Sequence, residues 1–343
     1  MGPGRYCIGV SRVLTSASAH ATRSLAVRAA IAGQQTRLPA GTGTMTGMAK
    51  APDRWHRWLT DTRSGGDPAA RERLLTEHLY LVRDTVLDKA GLQPGDTVLD
   101  VGTGDGLIAF GALERLGPSG HVVFCDISQD LLDHCRAAAA AEGLLDRCRF
   151  ILASANSLDG IADASVDVVT TRSVLIYVKD KEEALQAFYR VLRPGGRISV
   201  FEPVNVLMRD PDRLLGYDIT PVKPLAVKPL AAKLKAFYES IRPPGADPMV
   251  DFDERDLVRH AERAGFTDIG LELRVTVKNG KRPVPWTRAL RTAGNPLVPP
   301  LGEVLDRVLS PQEIAEFTAH IKPLVESGTG RQRQAHAYLA AAK

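Results

Sequence analysis

Apolar residues between positions 97 and 201 follow two alternating patterns along the chain. Short apolar runs bounded by turn residues predict buried strands at 97–101, 121–125, 149–152, 166–170 and 197–201. Apolar residues at helical spacing predict helices at 107–116, 128–142 and 181–192. Strands separated by helices of this length specify a parallel sheet with helices on both faces. We therefore expect an α/β fold.

The pattern changes on either side of this region. Residues 54–89 carry two helical stripes separated by a Gly-rich break. After residue 205 the pattern lapses, and repeated prolines leave only short helical pieces. The C-terminal part predicts a helix at 254–264, a strand at 268–278, two short helices around Val304 and Ile314, and a last strand at 334–339. The apolar run 173–178 suits one more buried strand.

These patterns predict how the chain is organised. We expect a basic tail over 1–47, a helical lid over 48–94, the sheet core over 95–205, an insertion over 206–250, and a part over 251–343 that completes the core and holds the insertion 281–330. The tail has the composition of an organelle transit peptide. The preferred interpretation is instead that translation starts at Met45 or Met48 and that the sequence is written from an earlier start codon. Both interpretations predict that the tail is disordered.

Charge and cysteine content exclude several classes of function. The net charge of +4 arises in the first 50 residues, which hold six basic and no acidic side chains. The rest of the chain holds 38 basic and 40 acidic residues, so we expect no nucleic-acid partner. Four cysteines at unpaired spacing suit neither a zinc site nor a disulfide scaffold. No apolar run approaches the ~18–20 residues of a membrane-spanning helix. We expect a soluble cytoplasmic protein, mitochondrial only if 1–47 is a transit peptide.

A glycine-rich turn follows the first predicted strand. The segment 98–106 reads VLDVGTGDG, and its glycines Gly102, Gly104 and Gly106 allow the backbone to approach a ligand closely. Asp126 ends the second strand, where a carboxylate can accept both hydroxyls of a ribose. The alternatives are a glycine turn without a ligand and a helix-capping Asp126, and Ser128 already offers that cap.

The glycine spacing bears on which nucleotide the turn would bind. A dinucleotide fingerprint reads G-x-G-x-x-G, whereas this turn reads G-x-G-x-G and is preceded by Asp100. An acid at that position would repel a pyrophosphate and suits a ligand that carries an ammonium group. A mononucleoside ligand is therefore favoured over a dinucleotide.

Segment 98–106, the acidic strand end at Asp126 and segment 192–196 (LRPGG) together resemble the class I methyltransferases that use S-adenosylmethionine, in particular their small-molecule branch. The resemblance covers residues 75–205 well and 252–278 moderately. It implies a Rossmann-like, mostly parallel seven-stranded sheet and S-adenosylmethionine as cofactor. It does not identify the acceptor.

The resemblance also implies roles for individual residues. Asp100 and the backbone from Gly102 to Gly106, including Thr103, would hold the methionine ammonium and carboxylate. Asp126 would hold the ribose, and Ile127 would lie against the adenine. The loop of Ser154, Ala155 and Asn156 would border the adenine; the family often has an Asp at one of the first two positions, so Asn156 or a backbone N–H is the expected substitute here. Arg172 lies in the segment that the family places beside the reactive methyl.

Candidates for catalysis lie at the carboxyl ends of the fourth and fifth strands, where open α/β sheets bind ligands. Glu202 is the best candidate for a base or an acceptor-orienting group, with a plain surface charge as an equal alternative. Arg172 and Tyr177 are the other candidates, although Tyr177 suits the core better, given its apolar neighbours Val174, Leu175 and Ile176. His56 and His78 are expected on solvated helix faces. Arg63 touching the cofactor carboxylate is a weaker hypothesis.

The two insertions are expected to build the acceptor pocket, because they contribute apolar side chains such as Trp286 and Phe317. The alternative is that these side chains pack the insertions onto the sheet. A basic run, Lys223, Lys228, Lys233 and Lys235, suits a solvated face better than an anionic acceptor.

The sequence thus predicts a methyltransferase that acts on a small organic acceptor by in-line displacement, with no metal, nucleic-acid or membrane partner. A nicotinamide-dependent oxidoreductase and an inactive methyltransferase-like binding module are the alternatives. The acceptor and the oligomeric state stay open.

Overall fold

The computed structural model describes residues 51–208, 213–214, 217–218, 224–243 and 245–343. The predicted tail 1–47 and Lys223 lie outside the described residues. The helices are α1 Arg54–Arg57, α2 Pro68–Leu74, α3 Tyr80–Ala90, α4 Leu107–Arg115, α5 Gln129–Ala141, α6 Lys181–Val191, α7 Pro224–Ile241, α8 Glu254–Ala264, α9 Trp286–Arg291, α10 Leu301–Val308 and α11 Pro311–Ser327. Wider π-helical turns, Trp58–Thr62 and Leu75–Leu79, follow α1 and α2.

Seven strands form one sheet in the order β3-β2-β1-β4-β5-β9-β8. They are β1 Thr97–Val101, β2 His121–Asp126, β3 Cys148–Leu152, β4 Val166–Arg172, β5 Leu192–Pro203, β8 Thr267–Asn279 and β9 Arg331–Ala342; β6 Arg213–Leu214 and β7 Tyr217–Asp218 pair separately. Strands β1 to β5 pair in parallel, and β9 runs antiparallel to both of its neighbours. The predicted Rossmann-like, mostly parallel seven-stranded sheet is confirmed.

Helices cover both faces of this sheet, as the parallel pattern requires. On one face, α6 and α8 bury Phe188 and Leu257 against Leu99 and Val169 of the central strands. On the other face, α3 lies across β5, where the Ser199 hydroxyl donates to the Val86 carbonyl at 2.8 Å. The sheet therefore stays rigid between two apolar layers, and its strand ends form a fixed platform.

The two insertions fold into one helical cluster. Leu234 of α7, Trp286 of α9, Val304 of α10 and Phe317 of α11 pack together, and Phe317 is fully buried. The expected short pieces are wrong for α7, which has 18 residues, and for α11, which has 17, whereas the helix around Val304 is short as expected, with 8 residues in α10. Burial of one apolar stripe along each helix outweighs the hydrogen bond that Pro229 removes inside α7.

The segment 53–67 connects this cluster to the sheet. The Trp58 indole Nε1 donates to the Ala293 carbonyl at 3.0 Å, and the Arg288 guanidinium contacts the Asp67 carboxylate at 2.8 Å. At the other end, the Ser128 hydroxyl donates to the Asp53 carboxylate at 2.6 Å. These contacts hold the N-terminal segment across the carboxyl ends of the first strands.

Candidate active site

The glycine turn between β1 and α4 adopts a backbone that favours glycine. Gly102, Gly104 and Gly106 have φ angles of +64°, +59° and +81°. A Cβ on Gly102 would overlap the Val174 side chain, and one on Gly106 would lie 2.5 Å from the Phe110 ring. The turn therefore needs glycine both for its conformation and for space.

Gly102→Ala is expected to lower the free energy of unfolding by about 3 kcal/mol, since it adds both left-handed strain and a clash. Gly117→Ala is the matched control, because Gly117 has a φ of +70° but nothing within 4 Å of an added Cβ. The Gly117→Ala change should lower the free energy of unfolding by about 1 kcal/mol. Urea unfolding measures both. Equal losses of unfolding free energy in the two variants would show that the Val174 side chain moves away from the added methyl group without cost.

Asp100 lies at the end of β1 with its side chain almost fully buried. Its two carboxylate oxygens accept hydroxyl hydrogen bonds from Thr103 at 2.8 Å and Thr170 at 2.9 Å. Burial raises the pKa of Asp100 to about 6, and the two hydroxyls and the charge of Arg172 oppose that rise. Thr103 thus orients Asp100. Both residues stay predicted cofactor contacts.

Asp126 ends β2 beside the glycine turn. Its carboxylate accepts from the backbone N–H of Gly104 at 2.9 Å and from that of Ser128 at 3.0 Å. Burial raises its pKa, and these N–H groups oppose the rise. Ser128 caps α5 by accepting from the Leu131 N–H, so Asp126 is not the cap. Ile127, the next residue, is 55% exposed, which is unusual for an isoleucine at a strand end.

The loop after β3 was expected to border the adenine. Ser154 is exposed and Ala155 is buried. The Asn156 amide donates to the Asp180 carbonyl and to the Glu183 carboxylate, both at 2.8 Å, at the start of α6. Both amide hydrogens are therefore engaged within the protein, and the contact of Asn156 with the adenine stays a prediction. A backbone N–H of the loop remains the other predicted substitute.

Glu202 is fully buried at the end of β5. Its carboxylate accepts three backbone hydrogen bonds, from Val174 at 2.9 Å, Leu175 at 2.8 Å and Ile176 at 3.2 Å. Burial raises its pKa to about 7, although these N–H groups oppose the rise. The carboxylate is thus committed to holding the loop after β4. The alternative of a plain surface charge is therefore wrong, and the role of Glu202 as a base or an acceptor-orienting group stays a prediction.

The same three hydrogen bonds explain why the segment 173–178 is not the expected strand. Ser173 takes a φ of +57°, and the chain turns into the short 3₁₀ helix Leu175–Tyr177. A carboxylate that accepts hydrogen bonds from consecutive backbone N–H groups favours a turn over an extended strand paired in a sheet. Tyr177 therefore lies at the strand ends rather than in the sheet.

Arg172 and Tyr177 lie at and after the carboxyl end of β4, and the region between these strand ends and the N-terminal segment is called the cleft. Arg172 is half-buried at the end of β4, in register with Phe201 of β5. The Tyr177 ring meets the Trp55 ring edge-on at 5.0 Å. Burial raises the pKa of Tyr177 to about 12, so its hydroxyl stays protonated and is a donor rather than a base at neutral pH.

A histidine pair was missed by the sequence reasoning. The rings of His78, in the π-helical turn before α3, and His336, in β9, are 5.8 Å apart, and His336 lies 5.1 Å from the Phe201 ring. Burial lowers the pKa of His336 to about 4, and it lowers that of His78 together with the charges of Arg63 and Arg172. The expectation that His78 is solvated is wrong. No local pattern marks this pair, because sheet order alone brings β9 beside β5.

The N-terminal segment lies over the glycine turn. A Cβ on Gly104 would be 3.1 Å from Leu59 Cδ1, so Leu59 contacts the turn. Arg63 follows on the same segment, with its guanidinium over the Trp58 ring at 5.0 Å. Arg63 is thus near the cleft, and its predicted contact with the cofactor carboxylate stays a prediction.

Comparison with known proteins agrees with this geometry. A family model described as a methyltransferase domain matches residues 92–235. The ubiquinone/menaquinone biosynthesis C-methyltransferase UbiE of Legionella pneumophila is 31% identical over 192 residues, which are 55% of this chain and 74% of that protein. The chain belongs to the class I S-adenosylmethionine-dependent methyltransferases. This finding removes the nicotinamide-dependent oxidoreductase.

Two further matches differ in how much of each chain they cover. An arsenite methyltransferase of Halobacterium salinarum is 35% identical over 133 residues, and the match spans 37% of this chain and only 34% of that protein. The crystal structure of a SAM-dependent methyltransferase from Aquifex aeolicus is 20% identical, with a TM-score of 0.41, over 61% of this chain and 91% of that one. Within the described residues, no helix has the length and apolarity needed to cross a membrane.

Proposed function

We propose that this chain transfers the methyl group of S-adenosylmethionine to a small organic acceptor held at the carboxyl ends of β4 and β5. One observation carries the proposal: the buried carboxylate of Asp126 lies beside the exposed side chain of Ile127, next to the glycine turn. A carboxylate for a ribose and an apolar surface for a flat ring are what a nucleoside requires at this switch point.

The residues around the turn suit the rest of the cofactor. Asp100 offers a buried carboxylate for an ammonium group, and the backbone from Gly102 to Gly106 approaches the ligand without side chains. The N-terminus of α4 favours a carboxylate through the backbone N–H groups of its first turn, although that of Ala109 already donates to Asp100. Ser154 and Ala155 border the adenine, with a backbone N–H as donor. When bound, the cofactor supplies an electrophilic methyl group on a sulfonium.

The chain itself positions the acceptor and excludes water. We propose that residues 48–94 act as a lid over the core of 95–205, since Leu59 and Trp55 already contact the turn and Tyr177. The insertion 206–250 would border the acceptor, and so would the insertion 281–330, which lies within the part 251–343. Arg172 and the Tyr177 hydroxyl orient it. Glu202 acts through the loop it holds.

We propose His78 as the group that accepts a proton from the acceptor, with His336 beside it. Both imidazoles have a lowered pKa and are neutral at pH 7, as a general base must be. Neither ring has a hydrogen bond or ion pair among the described residues. His78 also lies on the lid, so the base would complete the site only when the lid is closed.

Formation of S-adenosylhomocysteine with a broad panel of small acceptors tests the proposed function. We expect product to accumulate with a subset of the panel. An inactive binding module would instead bind S-adenosylhomocysteine in calorimetry and never form it. Among the described residues, Cys125, Cys135 and Cys148 are free. They support a cytoplasmic location, and the assay should therefore be run under reducing conditions.

Asp126→Asn is expected to weaken S-adenosylhomocysteine binding about thirtyfold, or ~2 kcal/mol, because a neutral amide replaces a charged acceptor. Titration calorimetry measures the affinity. Asp306→Asn, a change at an exposed position of α10, is the control and should leave it unchanged. Equal affinities of the variant and the unaltered protein would disprove the ribose role.

A further inference from the structure

Two guanidinium groups in the cleft, those of Arg63 and Arg172, have no acidic side chain in direct contact, although Asp105 acts on the first and Asp100 on the second at longer range. Arg172 ends β4 on the same sheet face as Asp100, and Arg63 reaches the cleft from the N-terminal segment. Neither forms an ion pair or hydrogen bond with its side chain among the described residues. Burial and the nearby charge of Arg172 lower the pKa of Arg63 to about 10, so the two cations share one poorly solvated region.

Other arginines of similar burial differ in this respect. Arg71 contacts Asp105 at 3.5 Å, Arg197 contacts Asp96 at 2.6 Å, and Arg288 contacts Asp67 at 2.8 Å. Desolvating two like charges that form no direct ion pair costs free energy. The cost is recovered when an anion binds between them, since guanidinium groups match the geometry of carboxylate and phosphate.

The walls around these arginines are flat and apolar. Trp58 stacks under Arg63, Trp55 meets Tyr177, and Phe201 is the register partner of Arg172 in β5. The cleft therefore combines aromatic surfaces with a cationic end. By contrast, Lys233 and Lys235 of the basic run contact Glu313 and Glu239 at exposed positions, so that run does not supply the charge.

We propose that Arg63 and Arg172 together bind an anionic group, a carboxylate or a phosphate, on an aromatic acceptor. This inference rests on the proposed function and names its substrate class. The cofactor brings one carboxylate, which the backbone N–H groups in the first turn of α4 favour. The guanidinium pair is then free for the acceptor, and it would fix which atom of the acceptor faces the methyl group.

Three small probes test the proposal on the full chain saturated with S-adenosylhomocysteine: benzoate, phenyl phosphate and neutral benzamide. Each is titrated at constant ionic strength while Tm is recorded, because a ligand of the folded state raises Tm. We expect benzoate or phenyl phosphate to bind at least about tenfold more tightly than benzamide, and the tighter of the two identifies the acid.

The variants Arg63→Gln, Arg172→Gln and their combination should lose this preference. Arg255→Gln, at an exposed position of α8, is the control and should keep it. The apo double variant should be at least as stable as the unaltered protein, because like-charge repulsion is removed; a merely structural role predicts the opposite.

Two results would overturn the inference. One is equal binding of acid and amide probes by the unaltered protein. The other is a double variant that keeps the acid preference, or one that loses S-adenosylhomocysteine affinity instead, which would assign the pair to the cofactor carboxylate. If the unaltered protein binds no S-adenosylhomocysteine at all, the proposed function fails before the acceptor question arises.

Discussion

His78→Asn is expected to lower kcat by about 10²-fold or more with an acceptor from the panel, because asparagine cannot take up a proton. Asparagine keeps the approximate size and polarity of the imidazole, so the packing against His336 should survive. Binding of S-adenosylhomocysteine should be unchanged, since among the described residues the His78 ring contacts His336 and forms no hydrogen bond with the glycine turn or with Asp126. Initial rates over a range of acceptor concentrations separate kcat from KM.

The pH profile distinguishes a base from a positioning group. Burial and the charges of Arg63 and Arg172 lower the pKa of His78 below its ordinary 6.5. A neutral imidazole accepts a proton and a protonated one does not, so kcat should fall only as the pH drops below that lowered value. The variant should lose this acidic limb.

His121→Asn is the matched control, because His121 is exposed at the start of β2. It should change neither kcat nor the profile. A His78→Asn enzyme with unchanged kcat, or with reduced kcat and an unchanged acidic limb, would refute the base assignment and leave His78 as a packing residue.

The sequence predicted those parts of the site whose interacting residues lie close together along the chain. Asp100, the glycine turn and Asp126 were found because strand, turn and helix are adjacent in the chain, where periodicity and glycine spacing report the structure directly. The run 173–178 was misjudged because its conformation is set by Glu202, which lies beyond a whole helix and strand. Its apolar composition fits a strand, but three N–H groups bind a buried carboxylate instead.

The acceptor side shows the same limit more strongly. His78 and His336 are joined only because β9 inserts between β5 and β8. Arg63 lies on a segment that is held by long-range contacts such as the one from Trp58 to the Ala293 carbonyl, whereas Arg172 lies at the end of β4. Neither the histidine pair nor the arginine pair is marked by a pattern in the local sequence. The insertions were read as short helices because prolines weaken helices locally, whereas the burial of Leu234 and Phe317 in one cluster decides the outcome.

Glu202→Ala is expected to lower the free energy of unfolding at pH 8 by about 4–6 kcal/mol. Three buried N–H groups would lose a charged acceptor, each loss costing roughly 1.5–3 kcal/mol before water compensates. Such a loss is a large part of the total stability of a typical domain. The loop would also release Tyr177, so the remaining folded protein should have low activity.

Glu202→Gln keeps the test informative if the alanine variant does not fold. The amide oxygen can still accept two of the three hydrogen bonds, and its NH₂ group faces the third donor, so we expect a loss of about 1–3 kcal/mol. Glu316→Gln, at an exposed position of α11, is the control. Urea unfolding of all three proteins measures these differences, and equal stability of Glu202→Gln and the control would contradict the buried-acceptor role.

The pH dependence of stability gives an independent signature of Glu202. Its pKa is raised from 4.5 to about 7 by burial, so between these values the folded state holds a proton that the unfolded state has lost. Stability should therefore fall as pH rises from about 4.5 through about 7. Asp100, whose pKa is raised to about 6, contributes in the same direction and remains in the variant. Glu202→Gln should thus flatten the slope without abolishing it, and an unchanged slope would show that Glu202 is ionised throughout this range.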